Sequence, residues 1–216
     1  MYVRDIMTTD VITIPSDTSV IEARRMMAKK KLRRVPVVDE GKLVGIVATD
    51  RLERAAPPEV VSNNMWDFAY SIVALHHMPV KQIMQTDVVT ATPDMTVEEA
   101  LALAQSKKVG GLVVVEDSKV VGIVTTNDFF YRIVNPVLGV GEPGERIWVA
   151  GGGEGKAMEE IISTINKLRL EIITLHIMAA PKATKKDIVV HLHCDDVSEL
   201  VAELKAKGYK VESRKR

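Results

Sequence analysis

The chain has 216 residues, of which 46% are hydrophobic and 27% are charged. This composition is typical of a globular protein with one large or two small domains, and it disfavours extended solenoids and disordered chains. Twenty-nine basic residues balance 29 acidic ones, so no overall field attracts nucleic acid or anionic membranes. The single cysteine, Cys194, excludes an internal disulfide and Cys-rich zinc patterns. No apolar run approaches the ~20 residues of a membrane span and no apolar signal core is present, so we expect a cytoplasmic protein.

An internal repeat dominates the first part of the chain. Residues 3–52 align without a gap with residues 80–129, and roughly twenty of the fifty positions are identical. Each copy predicts a short strand, an amphipathic helix and a β-hairpin; the predicted strands are 11–13, 35–38 and 43–47, then 88–90, 112–115 and 120–124. Because a three-stranded unit this small cannot cover its own sheet, we expect the copies to pack about a pseudo-twofold axis with a cleft between them.

The remaining segments define the domain boundaries. A break at 55–58 precedes a predicted amphipathic helix over 65–73, and a Pro/Gly-rich linker covers 135–144. From residue 146 the pattern predicts the element order βαββαβ. We therefore expect a tandem pair over 1–138, with repeat 1 at 3–54, an insert at 55–79 and repeat 2 at 80–134, followed by a second domain at 145–216.

These features resemble known families. The duplicated units, with Ile6-Met7 matching Ile83-Met84 and each hairpin ending in Val-Gly-Ile-Val, resemble a tandem pair of cystathionine-β-synthase (CBS) motifs. The βαββαβ tail resembles an ACT domain, and the combination, with Trp66 in the insert, is similar to the acetoin-utilisation family of CBS–ACT proteins. The resemblance implies an α+β protein in which a pseudo-symmetric CBS pair precedes a ferredoxin-like ACT domain. It also implies a regulatory module that binds an adenosine-containing ligand between the repeats, without catalysis.

The strongest candidate site lies where the second hairpin runs into a helix, at Thr125, Asn127 and Asp128. Helix N-terminal amides and the Thr125 hydroxyl suit a phosphate, and the Asp128 carboxylate suits a ribose diol. We expect the adenine between apolar strand edges, in the neighbourhood of Val88, Val89, Thr90 and Leu112. The alternative is that Asn127 or Thr126 only caps the helix.

The first copy departs from this pattern, because Ala48 replaces Thr125 and Arg51 replaces Asp128. We therefore expect unequal clefts with one nucleoside site, Arg51 either neutralising phosphates or filling the empty cleft. Arg33 and Arg34 precede a predicted strand, where the CBS resemblance places side chains that reach phosphates, whereas the second copy has Gly110-Gly111 at the equivalent positions. The alternative is a solvated basic face that continues the lysine run 29–31.

Two further motifs lie in the tail. The glycine-rich run 150–157 mimics a phosphate loop, but Ala150 and Ala157 replace the required Gly and Ser/Thr, and Glu154 would repel phosphate. The ACT resemblance implies that this loop binds a small amino acid; the alternative is an unliganded flexible turn.

Three histidines, His176, His191 and His193, share one face of two predicted strands. They cluster if the strands pair, either as ligands of a transition metal or as half-exposed side chains on a sheet that dimerises. Cys194 has no evident base or cationic neighbour in the sequence, and we expect it to be inert.

The sequence thus predicts a non-enzymatic regulatory protein with no catalytic residues, resident metal or cofactor. The expected ligand is AMP, ADP, ATP or S-adenosylmethionine, with an amino acid as a second effector at the tail and neither nucleic acid nor membrane as a partner. Apolar helix surface on the pair, with Val189 and Met178 on the sheet of the tail, predicts a homodimer. The alternatives are a metal-dependent enzyme that uses the histidine face, a nucleic-acid-binding regulator and a purely structural protein.

Overall fold

The structure, a computed structural model, describes residues 1–55, 77–179 and 185–214. It divides into two compact units, Met1–Phe130 and Tyr131–Arg216. The helix predicted over 65–73 lies outside the described residues. Within the described ranges, no helix combines the length and the apolarity needed to cross a bilayer.

The first unit contains the two repeats. In chain order its elements are α1 Val3–Ile6, α2 Val20–Lys30, β1 Arg34–Asp39, β2 Lys42–Ala48, α3 Thr49–Ala55, a 3-10 turn Val80–Gln82, β3 Thr90–Ala91, α4 Val97–Ser106, β4 Gly111–Glu116, β5 Lys119–Thr125 and α5 Thr126–Phe129. The pairs β1–β2 and β4–β5 are antiparallel hairpins, and β3 lies parallel to β4. Both predicted hairpins are therefore confirmed.

Local sequence explains why the long helices of the two repeats begin at equivalent places. Ser19 precedes α2 and exchanges hydrogen bonds with Glu22, whose carboxylate accepts from the Ser19 N–H at 3.3 Å. Thr96 and Glu99 make the same exchange at the start of α4. These reciprocal capping boxes satisfy N–H groups that have no partner inside the helix.

The short strands predicted at 11–13 and 88–90 are displaced. Ile14, rather than residues 11–13, forms a parallel bridge to Val37, and β3 begins only at Thr90. The reason is an exchange between repeats: Thr8 pairs with Ile123 of the second repeat, and Gln85 pairs with Ile46 of the first. The residues that follow must return to their own repeat, and they form no ladder while they cross.

The exchange also explains the motifs that revealed the repeat. Met84 lies against Gly45, where a Cβ would come within 2.5 Å of the Met84 sulfur, and Met7 lies against Gly122 in the same way. The Ile-Met of each repeat therefore packs on the Val-Gly-Ile-Val of the other. These matched contacts agree with the expected pseudo-twofold arrangement.

The C-terminal unit follows a π-helical turn, Phe130–Val134, and the short α6, Asn135–Val137. Its elements are β6 Glu145–Val149, α7 Gly155–Lys167, β7 Ile172–Ala179, β8 Lys186–Leu192, α8 Ser198–Ala206 and β9 Val211–Arg214. The four strands form one antiparallel sheet in the order β7-β8-β6-β9. The predicted βαββαβ order is therefore confirmed, and a core of buried Ile, Val and Leu side chains lies between the sheet and the two long helices.

Part of the linker covers the other face of this sheet at His191. The His191 Nε2 atom is 3.1 Å from the Pro143 carbonyl oxygen, and Arg146 donates to the Gly139 carbonyl at 3.1 Å. Gly139 has φ +59°, and a Cβ there would lie 2.6 Å from His191 Nδ1. His191 is consequently 1% exposed, so the expectation of a half-exposed side chain is wrong for this residue.

Candidate functional site

A cavity of about 320 Å³ lies between the two repeats of the first unit. The first repeat contributes Thr8 and residues 31–34, and the second contributes Gly110, Ile123 and residues 125–128. We call this space the main cavity. It brings together five of the predicted site residues, namely Arg33, Arg34, Thr125, Asn127 and Asp128.

The wall formed by the second repeat is built by the start of α5. Thr125 is the last residue of β5 and the N-cap of α5. The Asp128 carboxylate accepts hydrogen bonds from the Thr125 N–H at 2.8 Å and from the Thr125 hydroxyl at 2.7 Å. The residue that caps the helix is therefore Thr125, and not Asn127 or Thr126.

This arrangement bears on the expected role of Thr125 in phosphate binding. The Thr125 hydroxyl and N–H both donate to Asp128, and the Thr126 N–H donates to the Gly110 carbonyl at 3.3 Å. These donors are thus engaged within the protein instead of facing an anion. Cationic side chains from the first repeat, Lys31, Arg33 and Arg34, are better placed to bind phosphate because they line the same space.

The position of the Arg34 side chain explains why the second repeat has Gly110-Gly111 where the first repeat has Arg33-Arg34. Its Nη1 donates to the Gly110 carbonyl at 3.3 Å, and a Cβ on Gly110 would lie 2.6 Å from its Nη2. A side chain at residue 110 would therefore displace the guanidinium from its place between the repeats.

A second, smaller cavity of about 50 Å³ lies at the pseudo-equivalent place, and we call it the minor cavity. It is lined by Ala48 and Arg51, the counterparts of Thr125 and Asp128, together with Arg34 and Gln85. Arg51 Nη1 donates to the Ile83 carbonyl at 3.2 Å. The expected inequality of the two clefts is confirmed in their volumes.

The residues predicted to contact adenine do not join the main cavity. Val88 and Val89 line the minor cavity, beside Arg51. Leu112 is fully buried, and Thr90, in β3, pairs with Val113 of β4. These two residues line neither the main cavity nor the minor cavity. The cause is the exchange between repeats, which places the segment after Gln85 against the hairpin of the first repeat.

Several residues of the main cavity were not predicted, including Thr8, Lys31, Leu32 and Ile123. The repeat contained a signal for two of them. Thr8 and Gln85 occupy equivalent positions, as do Ile123 and Ile46, and each pair splits between the main and minor cavities. An expectation of crossed packing would have identified them.

The glycine-rich loop of the C-terminal unit is packed and is not an open cradle. The Gly151 N–H donates to the Asp187 carboxylate at 2.8 Å, and the Gly153 N–H donates to the Lys186 carbonyl at 2.9 Å. A Cβ on Gly153 would lie 2.9 Å from the Asp187 carbonyl oxygen. The carboxylate of an amino acid bound at this loop would lie beside the Asp187 carboxylate, which carries the same charge.

The predicted pairing of the histidine strands is confirmed, because β7 and β8 are antiparallel, with His176 opposite Val189 and His191 opposite Thr174. His193 lies beyond the strand, with its Nδ1 3.5 Å from the Glu171 carboxylate. In the parts of the chain that the structure describes, no group of three or more His, Cys, Asp or Glu side chains could hold a metal ion. Burial raises the pKa of the Cys194 thiol, which disfavours the reactive thiolate.

Comparison with known proteins decides the family. The CBS domain family matches residues 3–57 and 80–135, just over half of the chain. This chain belongs to the CBS domain family. The CBS domain-containing protein YhcV of Bacillus subtilis is 30% identical over 129 residues, which cover 58% of this chain and 81% of that protein.

Solved structures show the same pair. The CBS domain pair of protein MJ0100, in complex with 5'-methylthioadenosine and S-adenosyl-L-methionine, is 29% identical with a TM-score of 0.51, and the match covers 62% of this chain and 97% of that one. A structure described as that of a putative acetoin utilization protein (AcuB) from Vibrio cholerae is 29% identical, with a TM-score of 0.53. The match covers 66% of this chain and 98% of that one.

The chain spans only about a quarter of the length of the first curated relatives that it matches. One example is the homoserine O-acetyltransferase of Methanohalobium evestigatum, which is 36% identical over 129 residues, 59% of this chain and 23% of that protein. The shared part is thus a module that also occurs within longer chains.

Proposed function

We propose that this chain is a non-enzymatic regulatory protein whose CBS pair binds one adenosine-containing ligand in the main cavity. The observation that carries the proposal is the composition of that cavity. Both repeats contribute to it, with one carboxylate at Asp128 and three cationic side chains at Lys31, Arg33 and Arg34. A ribose diol can donate to the carboxylate while a phosphate is bound by the cations.

The size of the cavity and a relative support this function. A volume of about 320 Å³ falls within the range of small-molecule sites, roughly 300–1,000 Å³. The related pair of MJ0100 holds two adenosine derivatives. We propose AMP, ADP or ATP in preference to S-adenosylmethionine, because the sulfonium and ammonium of the latter would add positive charge beside two arginines.

The first experiment is calorimetric titration of AMP, ATP and S-adenosylmethionine into the wild-type chain and the Asp128→Ala variant. Loss of the charged acceptor should weaken nucleotide binding by about 1.5–3 kcal/mol, roughly tenfold to a hundredfold. Unchanged affinity in the variant would contradict the assignment of the site.

A matched control separates ligand binding from helix capping, because Asp128 also accepts from Thr125. Glu99 accepts from Thr96 in the same way at the start of α4 and does not line the cavity. Glu99→Ala should lower stability by about 0.5–2 kcal/mol, as capping substitutions do, while leaving nucleotide affinity unchanged. Equal losses of affinity in both variants would show that the Asp128 effect is structural.

The arginines provide a second test of the orientation of the ligand. Arg33→Gln should weaken AMP binding several-fold and ATP binding more strongly, because each lost charge-assisted contact concerns phosphate. Adenosine, which lacks phosphate, should bind both proteins equally in the same titration. A loss for adenosine as large as that for AMP would contradict the proposed position of the phosphates.

For the C-terminal unit we propose a role in dimerisation and, following the ACT resemblance, effector binding within the acetoin-utilisation family. The βαββαβ order supports the role of this unit, and the similarity to the Vibrio cholerae protein, which covers 66% of this chain, supports the family. A metal-dependent activity at the histidine face is the weaker alternative, because the linker buries His191. Stoichiometric zinc in purified protein, or steady turnover of nucleotide, would support that alternative instead.

A further inference from the structure

A cavity of about 310 Å³ lies in the C-terminal unit, beside α8. Its lining comes from β6, β9, α8 and the two residues before α8, namely Glu145, Asp196, Val197, Ser198, Val201, Ala202, Lys205 and Ser213. It begins at the first residue of β6, whereas the glycine-rich loop follows the last residue of that strand. The cavity is therefore separate from the loop where the ACT resemblance places an effector.

Glu145 is the residue that points to a ligand. Only 7% of it is exposed, and the β6 register places it on the face that carries the buried Ile147 and Val149. Within residues 1–55, 77–179 and 185–214, its carboxylate has no hydrogen bond or ion pair. A carboxylate at the wall of a cavity attracts a cation or a hydrogen-bond donor, and the cavity is where such a group can enter.

The charges of the cavity are separated along α8. Asp196 adds a second carboxylate to the lining, and its Oδ1 accepts hydrogen bonds from the Ser198 N–H at 2.9 Å and from the Ser198 hydroxyl at 2.6 Å. Lys205 lies two helical turns beyond Ser198, about 10 Å along the axis. Val201 and Ala202 lie between the two ends. The cavity thus has an acidic end, a largely apolar middle and a basic end.

We propose that this cavity binds a small zwitterion whose ammonium and carboxylate are separated by several methylene groups, that is, an ω-amino acid. The ammonium binds Glu145 at the acidic end, and the carboxylate is bound by Lys205 at the basic end. A lysine side chain leans towards the helix N-terminus and so shortens the distance that the ligand must span. An α-amino acid, with both charges on neighbouring atoms, would leave one end of the cavity without a partner.

The test is calorimetric titration of the full chain with three matched probes, each at up to about 10 mM. The probes are 4-aminobutyrate, butylamine and butyrate, which carry both charges, the cation alone and the anion alone. We expect saturable binding of 4-aminobutyrate that is at least tenfold tighter than that of either single-charge probe. Absence of binding, or equal binding of butylamine, would overturn the proposal.

Variants locate the binding in this cavity. Glu145→Gln and Lys205→Met should each weaken 4-aminobutyrate binding by tenfold or more, while Glu142→Gln, at an exposed acid in the preceding linker, should not. Lys205 is exposed, so its variant tests the site without threatening the fold. Unchanged affinity in both variants would contradict this assignment.

Discussion

Arg51 is the residue that most clearly makes the two halves of this duplicated chain unequal. It occupies the position equivalent to Asp128, lines the minor cavity and donates to the Ile83 carbonyl. Ala48, at the position equivalent to Thr125, removes the hydroxyl of the capping pair. A ribose at the minor cavity would therefore meet a guanidinium, which can donate but cannot accept.

We predict that the double substitution Ala48→Thr and Arg51→Asp creates a second nucleotide site. It installs the Thr-x-x-Asp pair of the main cavity and removes the guanidinium that lines the minor one, while Arg34 lines both. Calorimetric titration with AMP should change from one to two sites per chain. Arg51→Ala alone should leave the affinity of the first site nearly unchanged, and a stoichiometry of one in the double variant would refute the prediction.

At the level of elements, the sequence predicted the hairpins and the capped helices because their determinants are local. The turn Glu40-Gly41 joins β1 to β2 as expected, and the exchange between Thr96 and Glu99 is readable from their spacing. By contrast, tertiary packing decides which hairpin the first residues of each repeat pair with. A repeat has the same sequence whether Gln85 pairs with its own hairpin or with the other one, so the sequence could not show that Val88 and Val89 line the minor cavity.

The exchanged contacts predict that Gly45→Ala is destabilising. The added methyl would lie 2.5 Å from the Met84 sulfur and 3.1 Å from the Gln85 carbonyl oxygen, so the flexible methionine can yield but the backbone resists. Overpacking of this kind costs about 1–3 kcal/mol, measurable by urea denaturation. Gly41→Ala serves as a contrast, because its added methyl group would have no close neighbour. Any loss of stability in that variant would come from backbone strain at φ +78°.

A companion substitution identifies the cause of the Gly45→Ala effect. Shortening Met84 to Ala makes room for the new methyl group, so the double variant should lose less stability than the two single losses predict. Additive losses would show that the methionine contact is not the source.

A hydrogen bond between Tyr209 and α7 makes the stability of the C-terminal unit depend on pH. The Tyr209 hydroxyl donates to the Glu160 carboxylate at 2.6 Å, which lowers the pKa of Glu160 below its ordinary value of 4.5. A carboxyl whose pKa is lowered by folding contributes stability above that ordinary value and loses it as the pH falls through the lowered one. Tyr209→Phe should therefore reduce the melting temperature at pH 7, and the difference from wild type should shrink as the solution is acidified. Tyr2→Phe is the control, and a difference that stays constant with pH would contradict this account.

For the whole molecule, the two units have separate hydrophobic cores, one in the first repeat around Val35 and Leu52 and another in the C-terminal unit around Ile165 and Leu200. A ligand that binds only the folded form stabilises the unit that holds its site, by about 2.7 kcal/mol at a hundred times its Kd. Nucleotide should therefore protect the amides of β4 and β5 from hydrogen exchange more than those of β6 and β8.

We predict that two chains associate through the edge of the C-terminal sheet. β7 is an edge strand, and Ile177 and Met178 near its end are 46% and 55% exposed. Exposed apolar side chains on an edge strand favour pairing with another chain, so we expect light scattering to give about twice the chain mass of 23.8 kDa. Met178→Lys places a charge on this edge and should give the mass of one chain, whereas Val140→Lys, at an exposed position in the linker, should not. A wild-type monomer at micromolar concentration, or a Met178→Lys variant that remains dimeric, would exclude this edge as the interface.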